Sequence, residues 1–98
     1  MQPLATGGMV TIYGMLGRPR DARRMHARLA RQARESWVPP LAFAWAYLGL
    51  HDERVFEWLD KAIDARDPAV THLSFMPIYD HIRGDSRVRT LLAKMNLA

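Results

Sequence analysis

Residue types recur along this 98-residue chain at a nearly fixed interval. Met9 and Phe43, Val10 and Ala44, and Tyr13 and Tyr47 stand 34 positions apart, while Ala22 and Val55, and Leu29 and Ala62, stand 33 apart. Asp52, Arg54, Val55 and Leu59 return 33 positions later as Asp85, Arg87, Val88 and Leu92. A unit of this length holds two short helices but cannot bury the apolar face of either one by itself, so successive units must cover one another. The change from 34 to 33 implies one residue fewer in the turn between Gly49 and Asp52.

Local signals divide the units into helices. The first is expected from about Pro3 to Leu16, closed by Gly17, where glycine takes the left-handed conformation cheaply. Pro19 suits the first turn of a second helix to about Ser36, because its missing N–H has no partner there anyway. Ala22, Met25, Leu29 and Ala33 share one face of it, and Arg20, Arg24, Arg28 and Arg31 another. A third helix starts near Pro39 and Pro40, ends near Gly49 and is apolar almost all round, which requires cover on both sides. The stretch HDERVFEWLDKAIDARDP is the fourth, with Asp52 as cap, Glu53 and Arg66 matched to the dipole ends, and Pro68 as stop. Residues 69–76 carry no clear signal. A short helical piece is expected from Pro77 to Arg83, and a last helix runs from the Asp85 cap to about Met95. No stretch alternates long enough to argue for a sheet, so the fold class is all-α.

Composition fits one small domain, residues 1–98, with repeat one at 3–36, repeat two at 37–68 and a degenerate third unit at 69–96; 49% of residues are hydrophobic. Cysteine is absent, which removes disulfides, thiolate metal sites and cysteine nucleophiles and favours an intracellular, cytoplasmic setting. Residues 1–17 carry no charged side chain, yet they lack the basic start and unbroken apolar run of a signal peptide. The uncharged run SWVPPLAFAWAYLGLH is too short to span a bilayer, so no membrane association is expected.

With a period near 34 built from helix pairs, the chain resembles the tetratricopeptide repeat family. Val10 sits where that family has a small residue, Tyr13 is its helix-A aromatic, Gly17 its turn glycine and Ala22 its small helix-B residue. The second unit offers Phe43, Ala44, Tyr47, Val55, Leu59 and Ala62, with Pro68 one place late. His51 stands in place of a turn glycine, Val55 of a small alanine and His26 of a helix-B aromatic. From WVPPLAFAWAYLGL to DSRVRTLLAKM the chain also looks like the carboxy-terminal end of such domains in bacterial signalling and regulatory proteins, where they often follow a kinase, cyclase or winged-helix module. The resemblance implies a right-handed α-solenoid fragment of about two and a half repeats, either a terminal fragment or a reduced stand-alone version.

The resemblance further implies a non-enzymatic scaffold that binds a protein or peptide in a groove lined by first helices, here Leu4, Thr11, Leu41, Trp45 and Leu48. The competing expectation is that Trp45 and Leu48 are core beneath the Pro77 to Arg83 piece. Trp45 or Trp37 would anchor a partner. The glycine-containing first helix is the element most in need of a neighbour, so Met9, Ile12, Met15 and Leu16 are candidates for self-association into a homodimer. The arginine face is read as solvated or matched by the Glu57, Asp60 and Asp64 stripe of the next unit; an acidic protein partner and phosphate binding are the alternatives, the latter weakened by the lack of interleaved aromatics. His72, Asp80, His81 and Asp85 lack metal-site spacing, and His26 reads as core. No nucleophile, Walker or dinucleotide motif occurs, so neither cofactor nor enzymatic activity is expected.

Overall fold

Three helices open on proline: α1 (Pro3–Met15), α2 (Pro19–Glu35) and α3 (Pro40–Gly49). Then follow α4 (Arg54–Asp64), a first 3-10 helix (Pro68–Ser74), a second 3-10 helix (Pro77–Tyr79) and α5 (Ser86–Lys94). These bounds come from a computed structural model that describes residues 1–96; the end of the expected 1–98 domain, Leu97 and Ala98, lies outside the described residues. There is no strand among the described residues, and the chain is all-helical with a radius of gyration of 12.7 Å, close to the ~13 Å of a compact chain this long.

Left-handed residues end the helices. Gly17 has φ 69°, and 34 positions on His51 adopts φ 55° although it carries a side chain. Arg66 at φ 58° stops α4 two residues before Pro68, so the proline follows the stop instead of causing it. Both carboxylate caps repeat in detail. The Arg54 backbone N–H and Nε donate to Asp52 Oδ1 at 2.9 and 3.0 Å, and those of Arg87 donate to Asp85 Oδ1 at the same two distances.

Helices α1 and α2 run antiparallel, whereas α1 with α3 and α4 with α5 run parallel. Gln32 Nε2 donates to the Met1 carbonyl at 2.8 Å, which sets the end of α2 beside the start of α1. On α5, Arg87 lies 3.6 Å from Glu53 at the start of α4, and Lys94 reaches Asp60 and Asp64 at 2.7 Å near its end. α1 and α3 meet almost backbone to backbone. A Cβ on Gly7 would collide with the Ala42 carbonyl, one on Gly14 with the Gly49 carbonyl, and one on Gly49 with the Val10 carbonyl. Gly7 and Gly14, poor helix formers in an isolated α1, are therefore the surface by which it seats on α3.

Hydrogen bonds between residues 34 positions apart tie α1 to α3 and α3 to the second 3-10 helix. Thr11 Oγ1 donates to the Trp45 carbonyl at 2.7 Å, and Trp45 Nε1 donates to Tyr79 Oη at 2.8 Å, both across 34 residues. Tyr79 is 1% exposed, and burial raises its hydroxyl pKa. Leu41, Leu48, Val55, Leu59, Ala62, Val70, Leu73 and Val88 form the main core, so α4 packs its apolar stripe on α3 and on the segment that follows. Burying side chains of this size is worth about 1.5–3 kcal/mol each.

Within residues 69–76, positions 69–74 belong to the first 3-10 helix, because Asp67 Oδ1 accepts the Ala69 N–H at its start while the Thr71 and Ser74 hydroxyls donate to carbonyls three residues back; Phe75 and Met76 follow it outside helical structure. The piece expected from Pro77 to Arg83 is shorter. It leaves helical geometry after Tyr79 and continues as a turn in which Arg83 binds the Leu73 and Met76 carbonyls and Asp80. No helix among the described residues is long and apolar enough to cross a membrane.

Candidate functional site

Side by side, α1 and α3 leave an apolar groove of about 180 Å³ lined by Gly8, Thr11, Ile12, Trp45, Met76 and Ile78. Its floor exists because Gly8 carries no side chain and Trp45 Cε3 lies 3.7 Å from where a Cβ would stand. Hydrogen bonding to Tyr79 fixes the indole from the other side. Ile12 is 48% exposed at the rim, and Met15 and Leu16 beyond it are 62% and 64% exposed. Among the described residues, no charged side chain lines the groove.

Of the expected groove residues, Thr11 and Trp45 are present in this lining. Leu41 and Leu48 are not available to a partner, because the α4 side chains and the 3-10 segment bury them to 0% and 1% exposure. Leu4 is half-buried between the two core clusters. Met76 and Ile78 were missed as groove residues. They belong to a segment without periodicity, and only the expectation that it crosses the groove pointed toward them. In the self-association set, Ile12, Met15 and Leu16 are exposed and Met9 is half-buried.

The arginine face departs from expectation. Arg20, Arg24, Arg28 and Arg31 are exposed, as are Arg23 and Arg34. Asp60 and Asp64, expected to meet these arginines, are bound by Lys94 instead. Among the described residues of α2, Arg24 has an ion pair, with Asp21, which Arg18 also holds; Arg20, Arg23, Arg28, Arg31 and Arg34 have no carboxylate within 4.0 Å. The sequence could not disclose this, because Lys94 reaches the stripe from 34 and 30 positions away.

A second cavity, about 190 Å³, lies where the α3–α4 turn meets the start of α5, between His51, Asp52, Phe56, His81, Asp85 and Arg87. The His51 and His81 rings are 4.9 Å apart, and burial followed by the proximity of His51 lowers the pKa of His81. Their hydrogen bonds to Arg54 and Arg87 hold Asp52 and Asp85 at about 2. These carboxylates are thus occupied as caps, and among the described residues no three His, Asp or Glu side chains converge to hold a metal ion. His26 packs against Phe43 and Tyr47 at 6.5 and 5.3 Å, its buried Nε2 without a hydrogen-bond partner among the described residues. Burial, then the charge of Arg54, lowers its pKa.

No family model, curated protein or solved structure matches the chain.

Proposed function

We propose that this chain is a non-enzymatic protein-association module built as a tetratricopeptide-like stack, binding an apolar segment of a protein partner in the groove between α1 and α3. The observation that carries the binding role is an open apolar groove whose central indole is immobilised by Tyr79 on one side and whose floor is glycine. A fixed aromatic with no charge around it rewards apolar and aromatic side chains of a partner and penalises charged ones. Support for the stack comes from the contacts at the repeat distance and from the two Asp–Arg pairs, whose hydrogen bonds match in partner and distance.

The reading is tested by selecting binders from a random peptide library on the wild-type chain and re-measuring them on Ile12→Lys. Enriched peptides should share spaced apolar residues and lose at least tenfold in affinity when the rim carries a lysine. Failure to enrich, or indifference to Ile12→Lys, would reject the groove. A second reading, homodimer formation, is favoured by the exposure of Ile12, Met15 and Leu16 on a helix with no charge to repel its own copy. Light scattering over a concentration series should then give a dimer mass that Met15→Glu halves.

A further inference from the structure

We infer that the solvent face of α2, together with Trp37, is a binding surface for single-stranded nucleic acid, distinct from the groove. The charge on this face is not consumed inside the molecule. Five of its six arginines have no carboxylate within 4.0 Å among the described residues, and two carboxylates of the acidic stripe that was to neutralise them, Asp60 and Asp64, are bound by Lys94. At 100° per residue, Arg20, Arg23, Arg24, Arg28, Arg31 and Arg34 fall on one side of the helix, opposite the buried Ala22 and Leu29. From Arg20 to Arg34 they extend over about 21 Å, since each residue rises about 1.5 Å.

Three classes of polyanion would feel this field, and the surroundings choose among them. Besides its arginines the stripe offers Ala27, the half-buried Ala30 and, at its end, the exposed Glu35. It therefore lacks the large apolar anchors around which protein interfaces concentrate their energy. An anionic bilayer needs an amphipathic helix with a free apolar face, and here that face is packed against the rest of the chain. Arginine forks on a convex helix are suited to phosphate oxygens. The chain then supplies what the helix lacks: Trp37, two residues past Glu35, is 78% exposed. An exposed indole at the end of a basic track serves as a stacking platform for one unpaired base, which duplex DNA does not offer.

Fluorescence anisotropy with a labelled 20-nucleotide oligothymidylate tests this. If about five phosphates are neutralised, affinity should fall about 100-fold between 50 and 200 mM salt, from a slope of about −0.7 per contact on a single strand. Arg28→Glu with Arg31→Glu should weaken binding and flatten that slope while leaving the circular dichroism spectrum unchanged, because both side chains are exposed. Trp37→Ala should cost about tenfold at constant slope. No binding at 50 mM salt, or binding indifferent to the arginine changes, would overturn the proposal. Equal affinity for a duplex together with indifference to Trp37→Ala would refute single-strand recognition. Competition by polyglutamate as strong as by unlabelled oligothymidylate would make the surface an acidic-protein site instead, as would vesicles rich in phosphatidylserine for a membrane.

Discussion

Adding one methyl group to α1 should have opposite effects at neighbouring glycines. Replacing glycine by alanine inside a helix ordinarily stabilises by about 1 kcal/mol, because alanine loses less backbone entropy on folding. At Gly8 the new Cβ would find Trp45 Cε3 at 3.7 Å, an ordinary van der Waals contact, so Gly8→Ala should keep most of that gain. At Gly14 it would run into the Gly49 carbonyl, and backbone cannot rotate away as a side chain does. Helix α1 would have to lift off α3, straining the Thr11 hydrogen bond to the Trp45 carbonyl. Overpacking costs about 1–3 kcal/mol, and a clash with backbone belongs at the upper end, about 2–3 kcal/mol. After subtracting the propensity gain, Gly14→Ala should lose about 1–2 kcal/mol. For a domain this size each kcal/mol shifts Tm by about 4–8 °C. Differential scanning calorimetry should therefore show Gly8→Ala melting several degrees above wild type and Gly14→Ala roughly 5–15 °C below it. If both variants rise alike, the backbone seam between α1 and α3 does not exist and the stacking order derived from it is wrong.

Trp45→Phe keeps the ring in the groove but removes the donor to Tyr79 Oη, leaving a buried hydroxyl without its partner. Urea denaturation should register a loss of about 1–2 kcal/mol, and no loss would mean that Tyr79 is satisfied otherwise. His26 has a folded-state pKa below its ordinary value, so the unfolded chain binds the proton more readily. Its contribution is complete above about pH 6.5 and is lost as pH falls below that value. His26→Phe should accordingly make the decline of Tm between pH 7 and pH 5 shallower than in wild type, and an unchanged slope would assign the decline to other groups.

Much of the helical architecture was legible because it is written locally. Pro3, Pro19 and Pro40 each begin a helix, Gly17 ends one, and the Asp85 cap sits at its expected place. What was not legible depended on partners distant in sequence. Gly7 and Gly14 read as weak helix positions until Ala42 and Gly49 are seen against them. Leu41 and Leu48 suit a groove or a core equally well, and only the path of the 3-10 segment decides for core. That segment has no helical period because Val70, Leu73 and Tyr79 are held by tertiary burial instead. The acidic stripe was visible, but not that a single lysine of α5 would take two of its carboxylates.

At Gly7, Gly14 and Gly49, α1 and α3 touch through carbonyls and α-carbons, so these points of the seam have no rotamers to exchange. Side chains elsewhere can absorb a displacement by hopping between staggered states, whereas here any sliding meets hard backbone at once. The α1–α3 pair should therefore behave mechanically as one stiff plate. Deformation is then left to the stretch from Pro68 to Arg83, where short 3-10 turns and a few arginine contacts join the buried Val70, Leu73 and Tyr79. Hydrogen exchange would show this as slow amides along the plate and fast ones across that stretch, a division between frame and hinge in fewer than a hundred residues.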